Sequence, residues 1–445
     1  MDSAAIPSTV TTTAPTGLPV RMDTVVVFGD SLSDIGKKWT TKSGRAARLG
    51  NEMYVSPTGR FSDCRNWTDF MFEAATGMTM VVDSASTTIA NSENHQSFTK
   101  KSAIPGAFQF VNYAEGGACG DTPASKGPFL GTCKDQVDAF MGHCKTSRLP
   151  LGNTLFIIWF GANDLYTAGR KAAEMSQVAQ QLATTQRNRL AAWVKNWNQA
   201  TIGADGTCKF IFVDLCRPLT AVRYTKRLSD AEAKVRALLG KKYVPAASPK
   251  WGLATPGPRP QASHTLQLAM SLGFNPGFNF IGSANEVELL RAQLEDIKNL
   301  ENGVILFNAT LKKLTHENGD QLAEIGSCVS EDTIRQLVIG NYRLKAGAMG
   351  ASVSKHVSAI KYSSSSSVQH TTTIDQVHPT DQMYRLLWLE IYERIKRSNC
   401  TFGKLSPVLA STPLTGISGR GPSQQTRQDY GAVMTELLAT IPQRG

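Results

Sequence analysis

Val25-Val26-Val27-Phe28-Gly29-Asp30-Ser31-Leu32-Ser33-Asp34 divides into two halves. Its four leading apolar residues, β-branched except for Phe28, form a short buried strand. Gly29 then permits a tight turn, and Ser31 emerges at the strand's carboxyl end. In open α/β sheets that end is where ligands bind. A serine there is a candidate nucleophile, provided that a base reaches it. Gly, Asp and Ser also favour ordinary turns, so other segments must decide between the two readings.

Further strands and helices alternate along the chain. Residues 66–75 have Trp67, Phe70, Met71 and Ala74 at helical spacing. Residues 108–113 read as a second strand and residues 135–141 as a short helix. Residues 154–160 (TLFIIWF) are an almost unbroken apolar run, as expected of a central parallel strand covered on both faces. A long helix is expected over residues 171–200, with Trp193 and Trp197 on a core-facing stripe. Residues 209–215 form another strand, 286–300 a helix, 304–307 a further short strand and 381–396 the last helix. This alternation argues for a doubly wound, mainly parallel α/β domain spanning residues 23–400. Residues 217–284 and 316–373 interrupt it, the second with the serine run 363–367. Residues 401–445 read as a flexible tail with a short helix at 430–439, and residues 1–22 as a disordered leader.

Composition narrows the partners. The 445 residues carry a net charge of +11. Nine Lys and Arg stand against two acids between Arg217 and Lys250. Such a face suits an anionic membrane, or is simply a solvated surface. No zinc-finger spacing, Arg-rich tail or RNA-binding signature is present, so nucleic acid is not expected. None of the eight cysteines forms C-x-x-C, which leaves no zinc ribbon or thioredoxin motif. No run approaches the ~18 apolar residues of a membrane span. The first 22 residues lack the charged start and apolar core of a cleavable signal. They suit either a floppy terminus of a cytoplasmic protein or export without cleavage, as in proteins injected into host cells.

Three segments join Ser31. Asn112-Tyr113-Ala114-Glu115-Gly116-Gly117 follows a strand, and a glycine there can present a bare N–H to a ligand. Gly161-Ala162-Asn163-Asp164 follows the run at 154–160, where Asn163 can aim its amide into the same crevice. Asp375-Gln376-Val377-His378-Pro379 precedes the last helix. Pro379 holds His378 extended, and Asp375 can fold back onto its Nδ1 to fix the tautomer. Together these supply a serine acyl-transfer site. Ser31 is the nucleophile, His378 the base and Asp375 the orienter, with Ser31 N–H, Gly117 N–H and the Asn163 amide as oxyanion hole. Activity is expected to rise as His378 loses its proton. No metal or cofactor is required, because a base generates the nucleophile. Asp30, Asp34 and Asp164 read as turn and hydrogen-bonding residues rather than a cation cluster.

The four segments resemble the GDSL, or SGNH, hydrolase family. The family's Ser, Gly, Asn and His fall at Ser31, Gly117, Asn163 and His378. The resemblance implies a flavodoxin-like, three-layer α/β/α fold. No G-x-S-x-G surrounds Ser31, which disfavours the α/β-hydrolase fold. Phe28–Asp34, Gly59-Arg60-Phe61-Ser62 with Trp67, the 112–117 block, Asp135-Gln136-Val137, Gly161–Asp164 and the 375–380 block further resemble the glycerophospholipid:cholesterol acyltransferases, a branch that includes bacterial toxins and injected effectors. That branch implies phospholipase A or lysophospholipase activity with acyl transfer to a sterol. Two alternatives stand beside it: a carbohydrate O-acetyl esterase of the same fold, and a binding protein without catalysis. Ile374 stands where the resemblance leads one to expect an aromatic residue.

Overall fold

A computed structural model of the chain describes residues 18–40, 60–62, 65–76, 108–121, 131–216, 286–328, 378–379, 381–403 and 405. The basic block at 217–250, the serine run, Asp375 and the helix expected at 430–439 lie outside the described residues. The elements, in chain order, are β1 (Val20–Arg21), β2 (Thr24–Gly29), α1 (Lys37–Thr40), α2 (Trp67–Thr76) and β3 (Gln109–Asn112). Then come α3 (Cys133–Ser147), β4 (Thr154–Trp159), α4 (Ala162–Tyr166), α5 (Met175–Gln180), α6 (Arg187–Ile202) and β5 (Cys208–Val213). The last are α7 (Glu286–Glu317), β6 (Gln321–Ala323), α8 (Ile325–Cys328), α9 (Asp381–Arg397) and β7 (Cys400–Thr401). Among the described residues no helix is long and apolar enough to cross a membrane.

Five parallel strands form the central sheet in the order β3-β2-β4-β5-β6. That is the flavodoxin-like order 2-1-3-4-5, whose switch point lies between its first and third strands. Here those are β2 and β4. Every residue of both is buried, which explains why both read as unbroken apolar runs. Phe28, Phe156 and Phe210 stack along one face, where Phe140 of α3 meets both Phe28 and Phe156 edge-on. Trp159 points to the other face and meets Trp67 of α2. There α2 packs on α9, while α7 packs on α5. Right-handed crossovers in this strand order place helices on both sides, which gives the three layers.

Several expectations are corrected. Residues 304–307 are helical, the middle of α7, rather than a strand. Val304, Phe307 and Leu311 are buried at i, i+3 and i+7, a helical period that a four-residue apolar run cannot reveal. Gly303 lies within the helix and lets Leu165 pack close: a Cβ there would come within 2.4 Å of that side chain. The fifth strand is Gln321–Ala323, inside the stretch expected to interrupt the alternation. Residues 20–22 are not part of a disordered leader. Val20 and Arg21 pair with Cys400 and Thr401, and Met22 is fully buried.

Helix α3 starts earlier than expected because Thr132 caps it. The Thr132 Oγ1 accepts from the Asp135 N–H while the Asp135 carboxylate accepts from the Thr132 N–H. The helix expected over 171–200 forms but contains a π-helical turn at Gln181–Gln186. Trp193 and Trp197 stack on each other, and Trp193 meets Phe140 edge-on, so they serve packing. Helix α2 is buried all round rather than on one face. Its Asp69 is paired with fully buried Arg60 at 2.6 Å, and its Glu73 with Arg65 at 3.2 Å.

Candidate active site

Ser31 lies two residues beyond β2, at the switch point. Gly29 is required there: a Cβ would stand 2.8 Å from Ser33 Oγ and 3.1 Å from the Trp159 carbonyl. The Gln136 side-chain amide grips Gly29 from α3. Its Oε1 accepts from Gly29 N–H at 3.0 Å, and its Nε2 donates to the Gly29 carbonyl at 2.8 Å. Beyond Gly29, Asp30 Oδ1 accepts from Leu32 N–H and the Asp30 carbonyl from Ser33 N–H. These bonds fold the turn that presents Ser31, which is 8% exposed.

His378 is carried just ahead of α9. Its Nε2 is 2.8 Å from Ser31 Oγ, although 347 positions separate the two residues. With the imidazole protonated at Nδ1, the hydroxyl donates to Nε2. Phe61 lies against the imidazole, with ring centroids 5.0 Å apart. Asp375, the expected orienter, lies outside the described residues.

The other two segments converge on the same end of the sheet. Glu115 N–H donates to the Gly29 carbonyl, and Ala118 N–H closes a turn onto the Glu115 carbonyl. Gly117 adopts a φ of +85° in that turn, a region suited to glycine. Of the two glycines, Gly116 spends its N–H on Asp34 Oδ2 at 2.7 Å. Gly117 N–H and Ser31 N–H make no hydrogen bond among the described residues. Asn163 donates one amide hydrogen to the Ala118 carbonyl at 3.1 Å, and its Oδ1 accepts from Thr167. Its second amide hydrogen has no partner among the described residues. Three uncommitted donors thus sit on two loops and the first turn of α4, held to one another, beside a serine–histidine pair.

Two buried aspartates hold these loops. Asp34 accepts four backbone N–H groups, from Gly36, Lys37, Lys38 and Gly116, and so bolts the Ser31 loop to the Gly117 loop. Burial nevertheless pushes its carboxyl above the ordinary range, against the pull of those donors. Asp164 accepts from Gly120 and Asp121 N–H at 2.7 and 3.2 Å, joining the Asn163 loop to the same segment. Burial raises Asp164 to about 7 and Asp30 also to about 7; the Leu32 N–H and His378 oppose the rise at Asp30. The turn and hydrogen-bonding roles expected for Asp30, Asp34 and Asp164 are thus what the structure contains.

Sequence reading did not assign Gln136, Phe61, Lys37, Lys38 or Glu115 to the site. For Gln136 the available signal was a polar side chain beside Val137 on the buried stripe of a helix. Phe61 joins the site through a long-range contact with His378 that no local pattern encodes, whereas Lys37, Lys38 and Glu115 flank Ser31 and Gly117 in sequence.

A family model described as GDSL-like lipase/acylhydrolase matches residues 25–391. The chain belongs to the GDSL lipase/acylhydrolase family. Its members are ester hydrolases by that description, and the matched span holds all four segments of the site. Among solved structures, the carbohydrate acetylesterase Est24 from Sinorhizobium meliloti is 14% identical with a TM-score of 0.32. That likeness covers 76% of this chain and 99% of Est24. Phospholipase A1 from Streptomyces albidoflavus NA297 is 13% identical with a TM-score of 0.30, covering 84% of this chain and 99% of the phospholipase. No curated protein matches the chain.

Proposed function

We propose that this GDSL-family protein is a serine lipid-acyl hydrolase, with phospholipase A or lysophospholipase action and a sterol hydroxyl as a second acyl acceptor. The observation that carries the reading is the 2.8 Å contact between His378 Nε2 and Ser31 Oγ at the switch point. Ser31 Oγ attacks the ester carbonyl as its proton passes to His378 Nε2. The carbonyl oxygen becomes an oxyanion facing Ser31 N–H, Gly117 N–H and the Asn163 amide. His378 returns the proton to the departing alcohol, leaving an acyl-Ser31. Water, or a sterol hydroxyl, then attacks that ester as His378 takes its proton, and His378 passes the proton to Ser31 Oγ as the acyl–Oγ bond breaks. Asp375 orients the imidazole in this reading, and an anionic membrane presents the substrate to the basic block at 217–250.

Mass spectrometry of phosphatidylcholine liposomes, with and without cholesterol, tests the proposal. Wild type is expected to release free fatty acid and lysophospholipid, with cholesteryl ester when cholesterol is present. Ser31→Ala is expected to release none of these. Cleavage of acetylated sugars but not of liposomes would transfer the reading to an O-acetyl esterase. Failure of a fluorophosphonate to label Ser31, together with no ester cleavage, would leave only a binding role.

A further inference from the structure

We propose that Phe61 is a positioning residue for His378, a wall that holds the imidazole so that Nε2 stays on Ser31 Oγ. The inference rests on the serine–histidine ester reading above and adds a residue to it. Hydrogen bonds at the two ring nitrogens would fix a line through the imidazole, and the ring can still swing about that line. Packing against the ring removes this freedom. Phe61 supplies such packing. Its ring centroid lies 5.0 Å from that of His378, with 39° between the planes, within the range over which aromatic rings attract. The same ring reaches Gly116: a Cβ there would stand 2.4 Å from Phe61 Cζ and 2.5 Å from Cε2. Gly116, unlike Gly117, does not have a positive φ. Glycine is needed at 116 for the space that Phe61 takes, not for the backbone. Phe61 thus touches the base and the turn that carries Gly117 at once.

A wall works only if it is rigid. Phe61 is 4% exposed, and the residues on either side of it are bolted down. The fully buried Arg60 donates from Nε and Nη2 to Asp69 of α2 at 3.0 and 2.6 Å, and from Nη1 to the Ile35 carbonyl at 3.2 Å. A two-pronged pair of this kind fixes orientation as well as charge. Ser62 Oγ donates to the Arg65 carbonyl at 2.6 Å. Ile35 follows Asp34, whose carboxylate holds the Gly116 N–H. One frame therefore carries Phe61, the Ser31 loop and the Gly117 turn. The histidine side of the site joins the same frame. Tyr384, fully buried on α9, donates from its hydroxyl to the Phe61 carbonyl at 3.3 Å. Phe61 is held by its backbone to the helix that follows His378 and by its ring to the imidazole itself.

The test uses p-nitrophenyl butyrate, a small ester that leaves lipid preference out of the readout, and a fluorophosphonate that labels Ser31. Phe61→Leu is expected to lower kcat and the labelling rate about tenfold with KM within about twofold, and Phe61→Ala to lower both rates about a hundredfold, the scale of a misplacement of about an ångström. Melting temperatures accompany each variant, and Phe61→Leu, which keeps much of the ring's bulk, carries the test where Phe61→Ala fails to fold. Placed on His378→Ala, Phe61→Leu should change the residual labelling by less than about twofold, because no imidazole is left to position. Gly116→Ala should also slow labelling, and by less in the Phe61→Leu protein than in wild type, since the shorter side chain makes room for the Cβ. A loss of about tenfold that persists on His378→Ala would make Phe61 a general brace and overturn the inference. A loss confined to KM, or no loss at all, would overturn it too. The hydrolase reading would survive each of these. A wild-type protein that neither labels at Ser31 nor cleaves any ester would sink that reading, and the inference with it.

Discussion

Two corners of the same sheet edge use the same devices to different ends. At the near corner the Gln136 amide bonds both backbone groups of Gly29, just at the end of β2. At the far corner the Asn308 amide does the same for Leu215, just beyond β5: its Oδ1 accepts from Leu215 N–H at 2.9 Å and its Nδ2 donates to the Leu215 carbonyl at 2.8 Å. Each corner also has a buried aspartate that accepts backbone N–H from another segment, Asp34 near β2 from Gly116 and Asp214 after β5 from Gly326. The corners differ in what is left over. The near one keeps the N–H groups of Ser31 and Gly117 uncommitted and receives His378. At the far one, burial and the nearby Glu324 and Glu390 push Asp214 well up, while Arg394 bonds Glu390 and lies 3.6 Å from Glu324. Clamped loop ends are therefore scaffolding common to both. The proposed chemistry uses the corner whose donors remain unspent.

The sharpest way to break this comparison is to remove the leftover groups. Ser31→Ala or His378→Ala should lower kcat by about 10⁴-fold or more, since residues acting as one unit fail together. Steady-state kinetics with an intact melting temperature would check it, and a loss under about tenfold would contradict the pairing. Asn163→Ala should lower kcat by about 10²–10³-fold with little change in KM, the scale of one lost oxyanion donor. A change confined to KM would place Asn163 in ground-state binding instead.

Exchanging the clamps sharpens the contrast further. Gln136→Ala and Asn308→Ala should each cost about 1–3 kcal/mol of stability, because each orphans partly or fully buried backbone groups. Only Gln136→Ala should also lower kcat. Denaturant unfolding and kinetics on the same preparations would decide it, and equal kinetic losses would remove the distinction between corners. The smallest effect expected is on pH. Burial raises the Asp30 carboxyl to about 7, so the acid form stabilises the fold below the unfolded value. That contribution is lost as pH rises through about 7. The melting temperature of Asp30→Asn should therefore fall less steeply than that of wild type between about pH 4 and about pH 8. Some slope should remain, because Asp164 titrates with the same sign. Parallel slopes would mean that Asp30 is not held protonated by burial.

The central strands were legible because both faces of β2 and β4 are covered, leaving runs with no polar interruption. The edge strand β6 was not, since Gln321-Leu322-Ala323 is too short to show a period. The strand expected at 304–307 failed for the opposite reason: its apolar run continues a helical stripe that begins before Gly303. Ser31, Gly117, Asn163 and His378 were legible because each sits at a break between a strand or helix and its loop, where turn residues stand out. Gln136, Phe61 and Lys37 were not. Gln136 and Phe61 reach the site from distant elements, and the fold alone brings them to it.

The 347 positions between Ser31 and His378 set a clock on the enzyme's birth. A chain growing at roughly 5–20 residues per second carries its serine for on the order of 20–70 s before the histidine has been synthesised. Met22 and the β1–β7 ladder wait as long, because among the described residues β1 pairs with residues 400 and 401. Under the proposed mechanism, Ser31 has no base to activate it during that interval. On that proposal, ester cleavage waits until the final helix arrives.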